Sequence, residues 1–171
     1  MDKRLPELLK VAESKDVRFN WVLLMGGVND LRRGDGNATR LFEGLQSLYA
    51  ACHAHGARVL AMTVLQSGWT PRALPAEREP ARQRLNELIR GAAKQHSDYI
   101  TLLDTDKLLP LPANPAADPA AALLWDDGLH LSPAGYNRLG ELVFTALRDK
   151  LPQAKAKTKT QGKTQAKPKA R

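Results

Sequence analysis

The chain has 171 residues, of which 43% are hydrophobic and 26% are charged, as in an ordinary globular domain with a core. Seven of its eight net positive charges lie in Ala154–Arg171, which has no acidic residue, so the rest of the chain is nearly neutral. No apolar run is long enough to cross a bilayer, and a single cysteine, Cys52, excludes an intrachain disulfide.

Two regions of different composition divide the chain. Residues 1–152 are predicted to form one domain, and residues 153–171, a run of Lys, Ala, Thr and Gln, to form a disordered basic tail. The tail either contacts nucleic acid or anionic surfaces through salt-dependent charge pairing or only solubilises the protein, and we favour the second interpretation. Residues 1–6 lack the features of a signal peptide, so a cytoplasmic location is the default expectation.

The first half of the domain alternates helix and strand. A helix is predicted over about residues 5–14, and the apolar run 19–25 before Gly26-Gly27 is typical of a strand buried on both faces. A second helix follows over about 38–55, ended by Gly56, with Cys52 on its apolar side as a buried hydrophobic residue. Residues 58–63 form the next predicted strand.

The second half continues the alternation. A loop is predicted over 66–80, a helix over about 81–95, a strand over 99–103 and a long, proline-rich irregular connection over 104–124. Ser132 and Pro133 suit the N-cap and first turn of a final helix whose apolar side carries Tyr136. Alternating strands and helices predict an α/β fold, with a parallel sheet between two layers of helices and ligands at the carboxyl ends of the strands.

Residues Gly27-Val28-Asn29-Asp30 follow the first predicted strand. The glycine permits a tight turn that Asp30 supports, and the Asn29 amide is able to donate a hydrogen bond to a developing oxyanion. These four residues taken alone fit a simple strand-to-helix turn better.

Residues Asp127-Gly128-Leu129-His130 precede the last predicted helix. A carboxylate three residues before an imidazole is able to bind one ring nitrogen and leave the other free as a general base. Asp126 is an alternative partner for the histidine. Taken alone, the pattern is weak, and a turn with a surface histidine explains it better.

Other chemically suggestive residues carry less information. His53 and His55 lie two apart on a predicted helix and do not share a face, so no metal site is predicted. Trp69 and Trp125 fall in loops near the crevice and either line an acyl or sugar pocket or anchor the loops, and the sequence favours neither.

The two motifs in this order resemble blocks III and V of the SGNH hydrolase superfamily, the GDSL-like esterases and lipases. Block V is the more specific, because it continues through Ser132-Pro133-Ala134-Gly135-Tyr136 into the last helix. The resemblance covers nearly all of residues 1–150. It implies a flavodoxin-like α/β/α fold and hydrolysis of an acyl, lipid or carbohydrate ester through a Ser-His-Asp triad, with no metal or cofactor. In that family, Asn29 would be the oxyanion donor, His130 the general base and Asp127 its orienting carboxylate.

The family's Gly-Asp-Ser motif is absent from the 171 residues, as is block II. The serines are Ser14, Ser47, Ser67, Ser97 and Ser132, none of them in that context, and Ser67 is the least unsuitable substitute. We therefore expect an N-terminally truncated fold, with the strand over 19–25 left as an exposed edge. Such a chain is either poorly stable or associates with something, and the edge makes self-association possible. The competing interpretation is a non-catalytic, degenerate family member or a binding protein acting through its basic tail.

Overall fold

The computed structural model describes residues 4–151. The elements follow one another as α1 (Arg4–Ser14), β1 (Trp21–Leu24), α2 (Val28–Arg33), α3 (Ala38–Ala54), β2 (Arg58–Met62), a 3-10 turn (Ala76–Arg78), α4 (Glu79–Gln95), β3 (Ile100–Leu103), α5 (Thr105–Leu108), α6 (Pro119–Ala122) and α7 (Pro133–Leu147). The predicted basic tail lies outside the described residues.

The three strands form one parallel sheet in the order β1-β2-β3. Side chains alternate across β2, so Val59 and Ala61 pack against α3 and α4. Leu60 and Met62 point to the opposite face and pack against α7, where Leu147 is buried. Helices thus cover both faces of the sheet, which confirms the predicted α/β fold.

Strand β1 is the edge of this sheet and pairs only with β2 among the described residues. On the side of the sheet that α7 partly covers, Leu23 is 48% exposed, and the following Met25 is 45% exposed. The expected apolar edge is therefore present in residues 4–151, although its consequence, self-association, stays a prediction.

The short helices were not predicted. Helix α2 occupies the segment interpreted as a turn, since Gly27 takes a left-handed φ of 113° and the helix begins directly after it. Helices α5 and α6 lie within the connection expected to be irregular, and α4 begins at Glu79, two residues early, with Pro80 in its first turn.

Cys52 lies in the core on α3 and is fully buried, as predicted. Burial raises the pKa of its thiol to about 11, because the apolar surroundings disfavour a thiolate. Among residues 4–151, the helices are too short or too polar to cross a membrane.

Candidate active site

Helix α4 fixes the chain where it leaves β2. The buried Asn86 side chain donates to the Val64 carbonyl at 2.9 Å and accepts from the Val64 N–H at 2.7 Å. Arg82, 1% exposed, donates to the same carbonyl at 2.6 Å. All the polar groups of this backbone unit are therefore satisfied in the interior, which gives the following loop a fixed starting point.

These contacts from α4 to Val64 form a clamp on the chain, and an ion-pair network extends this clamp to the end of β3. The Arg90 guanidinium donates to both oxygens of Asp104, at 2.9 and 2.8 Å, and to Asp106 at 2.9 Å. Arg82 donates to the other oxygen of Asp106 at 2.6 Å. Burial disfavours the charge on Asp104, but hydrogen bonds from Arg90 and Thr63 outweigh it and hold the pKa of the carboxyl below its usual value.

The loop before α7 holds Asp127 and His130 together. One Asp127 oxygen accepts the backbone N–H groups of Leu129 at 2.9 Å and His130 at 2.8 Å. His130 Nδ1 lies 3.2 and 3.1 Å from the two carboxylate oxygens. The N–H groups of His130 and Leu129 lower the Asp127 pKa to about 2, so the carboxylate is charged at neutral pH.

This arrangement fixes the imidazole as well as the carboxylate. Because Asp127 only accepts hydrogen bonds when ionised, Nδ1 carries the proton and Nε2 is the basic nitrogen. His130 Nε2 has no hydrogen-bond partner among residues 4–151, and the His130 side chain is 54% exposed. Asp126 contributes its backbone N–H to the His130 carbonyl at 2.9 Å, so Asp127 is the side chain that binds the ring.

Two glycines pack the loop against its neighbour. The Gly68 N–H donates to the Gly128 carbonyl at 2.8 Å. Gly128 has a left-handed φ of 77°, and a Cβ there would lie 2.1 Å from the Gly68 carbonyl oxygen. Only glycine fits this contact, and it ties the loop that follows β2 to the loop that carries His130.

Gly27 is also constrained, though less tightly, on the opposite side of the site. A Cβ at this left-handed position would lie 2.9 Å from Leu85 Cδ2 of α4. Its carbonyl accepts the Leu31 N–H at 2.8 Å, and the Asp30 carbonyl accepts the Gly34 N–H at 2.8 Å. Asn29 therefore lies in the first turn of α2, exposed, and its amide makes no hydrogen bond to other residues of the described part.

A cavity of about 190 Å³ separates the two motifs. Gly26 and Val28 line it on one side and Leu129 and His130 on the other, with Val64 and Leu65 among the apolar residues between them. The structure thus brings the segments of both predicted motifs to one cavity. Val28 and His130 border the cavity directly. Gly27 and Asn29 are sequence neighbours of lining residues, and Asp30 and Asp127 lie two residues from the nearest ones.

The serines do not complete the pair. No serine hydroxyl hydrogen-bonds to His130 within residues 4–151. Ser67 instead accepts the Leu74 N–H at 2.8 Å and stabilises its own loop. Ser132 is the N-cap of α7, as predicted, and accepts the Gly135 N–H at 3.1 Å.

His53 of α3 and His55, which directly follows that helix, have structural positions. His55 is buried, with Nδ1 3.0 Å from Glu13 and Nε2 accepting the Phe19 N–H at 3.2 Å, and His53 stacks on Tyr99. The described residues contain no group of three or more His, Cys, Asp or Glu side chains suited to a metal ion.

The chain belongs to the GDSL-like lipase/acylhydrolase family, whose model matches residues 1–138. Ester hydrolysis is the activity of this class. No curated protein matches the chain.

Several solved structures share the fold at low sequence identity. A GDSL-like lipase from Bacteroides thetaiotaomicron aligns with a TM-score of 0.66 at 20% identity over 86% of this chain and 70% of that one. A lipase/acylhydrolase from Enterococcus faecalis aligns with a TM-score of 0.61 at 20% identity, over 89% of this chain and 72% of that one. An acetylxylan esterase mutant from Geobacillus stearothermophilus aligns with a TM-score of 0.55 at 20% identity, over 83% of this chain and 67% of that one.

Proposed function

We propose that Asp127, His130 and Asn29 are the acid-base and oxyanion-binding residues of an ester hydrolase acting on a small-molecule ester. The observation that carries this proposal is the oriented Asp127–His130 pair, whose imidazole borders an apolar cavity with its Nε2 uncommitted. Membership of an acylhydrolase family supports the reaction class. Among the similar structures are proteins described as lipases and as an acetylxylan esterase, so both lipid and carbohydrate esters are eligible substrates.

The proton transfers follow from the fixed tautomer. His130 Nε2 accepts the proton of the attacking hydroxyl as its oxygen bonds to the ester carbonyl carbon. Nδ1 keeps its proton throughout, and its hydrogen bond to the Asp127 carboxylate stabilises the imidazolium that forms. The Asn29 amide donates to the carbonyl oxygen as it gains negative charge, and His130 then returns the proton to the departing alkoxide.

The attacking oxygen belongs either to a serine or to water. Because the sequence of 171 residues contains no Gly-Asp-Ser, the chain as given is expected to form no covalent acyl-enzyme. The Asp127–His130 pair performs the same proton transfer in both cases. A phosphonate ester that labels serine nucleophiles separates them, since only a serine gives a stable mass increase.

The cavity beside His130 suits the acyl part of the ester. Its 190 Å³ lie below the range of drug-sized pockets, and its lining is mostly apolar, with Met25 and Leu131 among its walls. Because the cavity is small, a short acyl chain fits inside it, whereas a long chain has to extend beyond it. We therefore expect acetyl and butyryl esters to be preferred over decanoyl esters.

Hydrolysis of p-nitrophenyl acetate, butyrate and decanoate tests the proposal. His130→Ala should lower kcat/KM by about 10²–10⁴-fold, because the general base is lost. Asn29→Ala should lower kcat/KM by about 10²-fold, because the hydrogen bond from its amide to the oxyanion is lost. The matched control is His53→Ala, which removes an exposed histidine on α3 and should retain hydrolysis.

The possible outcomes of these assays distinguish a hydrolase from a non-catalytic family member. Hydrolysis that survives His130→Ala contradicts the proposed base. Phosphonate labelling of any of the five serines contradicts the expectation that this chain lacks the nucleophile. An absence of hydrolysis and labelling in the unaltered chain would leave the non-catalytic family member as the better account.

A further inference from the structure

A second, wider depression adjoins the cavity beside His130. This groove has a volume of about 660 Å³ and is open to solvent. Its lining includes Gln66, Trp69, Gln83 and Leu111. Gln66 also lines the small cavity, so the two spaces meet at this residue.

Trp69 is the largest exposed aromatic side chain of the groove. It is 42% exposed, and its backbone takes a left-handed φ of 60°, which a bulky residue adopts at an energetic cost. Trp125 differs, because it is 5% exposed and its indole N–H donates to the Pro110 carbonyl at 3.3 Å. Trp125 is thus a loop anchor, whereas the Trp69 indole N–H has no partner among residues 4–151.

The groove also offers polar groups that the fold does not use. The Gln66 amide makes no hydrogen bond within the described part of the chain, and Gln83 uses only its NH2 group, which donates to Glu79 at 3.2 Å. The Glu79 carboxylate itself is committed to Arg82, at 2.8 and 2.6 Å. An exposed aromatic face beside uncommitted amides matches a ligand that has an apolar face and a hydroxylated edge.

The loop that carries Trp69 is coupled to the catalytic loop. Gly68, its neighbour in sequence, donates to the Gly128 carbonyl between Asp127 and His130. The side chain of Leu111 limits the same loop from the other side, since a Cβ on Gly68 would lie 3.1 Å from its Cδ2. The backbone beside Trp69 is therefore held next to the loop that carries His130.

We propose that this groove binds the alcohol part of the ester and that this alcohol is a carbohydrate. A pyranose ring stacks on Trp69, and its hydroxyls bind the Gln66 and Gln83 amides, while the acyl group enters the small cavity. A long lipid chain would require a continuous apolar lining, which the glutamines interrupt. The inference rests on the proposed hydrolase function, because it assigns the leaving group of that reaction.

Binding of unacylated oligosaccharides to the full 171-residue chain tests the groove without any hydrolysis. Isothermal titration with xylotetraose and cellotetraose should show saturable binding of at least one of them. Trp69→Asn should weaken it by about ten-fold, because the stacking surface is lost. Asparagine tolerates a positive φ, so this variant retains the backbone conformation.

Two further variants make the result specific. Gln83→Leu removes a surface amide of α4 and should also weaken binding, whereas Phe144→Ala removes an exposed aromatic ring from α7, outside the groove lining, and should leave the Kd within two-fold. An unchanged Kd in both Trp69→Asn and Gln83→Leu overturns the proposal. So does saturable binding of monomeric decanoate in place of both sugars, which would make the groove a lipid site.

The two proposals fail in different ways. Because xylotetraose and cellotetraose contain no ester, their binding does not depend on His130, and His130→Ala should retain it. Loss of hydrolysis with sugar binding intact supports both assignments. Sugar binding without hydrolysis in the unaltered chain contradicts the proposed hydrolase function and supports the proposed carbohydrate site. Hydrolysis without sugar binding supports the hydrolase function and contradicts the carbohydrate site.

Discussion

Gly128→Ala should destabilise the domain more than the same substitution at other glycines of this chain with open surroundings. Two separate effects act at this position. Its φ of 77° is left-handed, and the added methyl group would meet the Gly68 carbonyl oxygen at 2.1 Å, a distance that requires the backbone to move. That movement breaks the hydrogen bond from the Gly68 N–H and disturbs the loop that orients His130.

Two glycines of the same chain separate these effects. Gly56 also has a positive φ, of 89°, but a Cβ there meets nothing within 4 Å, so Gly56→Ala should cost only the left-handed strain of about 1–2 kcal/mol. Gly140 lies exposed in α7 with equally open surroundings, and alanine there should stabilise the helix by about 0.5–1 kcal/mol. For Gly128→Ala, the strain, the overpacking and the lost hydrogen bond together should cost about 3–5 kcal/mol.

Urea unfolding followed by far-UV circular dichroism measures all three free energies. The expected order of stability is Gly140→Ala, unaltered chain, Gly56→Ala and Gly128→Ala, from most to least stable. Similar free energies of unfolding for Gly128→Ala and Gly56→Ala would refute the argument, because the close approach of the two loops would then carry no energetic weight. Gly128→Ala should also lose hydrolysis of p-nitrophenyl acetate under conditions where it remains folded.

Three other predictions concern single side chains. Asn86→Leu leaves the buried N–H and C=O of Val64 without their amide partner and should cost about 2–4 kcal/mol in urea unfolding, whereas the exposed Asn137→Ala should have little effect. The pKa of Asp127 is lowered to about 2 on folding, so its stabilisation is present above the unfolded value near 4 and is lost as the pH falls toward 2. The difference in unfolding free energy between the unaltered chain and Asp127→Asn should therefore shrink across that window, and a difference independent of pH would contradict it. Leu23→Lys places a charge on the exposed edge strand and should reduce self-association in sedimentation velocity, while an unchanged distribution would exclude β1 as the contact.

The long elements were predictable because their patterns are redundant. Leu45, Leu48 and Cys52 repeat at helical spacing along α3, and one exception would not have changed the interpretation. Helix α2 has only six residues, and Asn29 and Asp30 are as common in turns as in a first helical turn. The sequence around Gly27 therefore located the motif but not the helix that presents it.

The clamp at the ends of β2 and β3 was missed, although the sequence contains a signal for it. Arg82, Asn86 and Arg90 repeat every four residues and so share one side of α4, adjacent to its apolar side. Charged residues on a helix usually face solvent, so this spacing alone does not predict burial. Asp104 and Asp106, which pair with Arg82 and Arg90, lie beyond β3, and pairing across that separation follows from the tertiary fold.

The Asp127–His130 contact was predictable because it is local, three residues across one turn. The groove was not, since it combines Trp69, Gln83 and Leu111 from segments far apart in the sequence. Sequence reasoning left Trp69 and Trp125 equivalent, and only their exposure in the folded chain separates them.

The burial of Cys52 makes its thiol a natural probe of how often the folded domain opens. A fully buried thiol with a pKa of about 11 reacts only from molecules in which α3 has detached from the core. Because the chain has a single cysteine, the rate of its modification by a thiol reagent reports that opening without denaturant or engineered labels. The same inaccessibility protects the folded chain from oxidative cross-linking between copies.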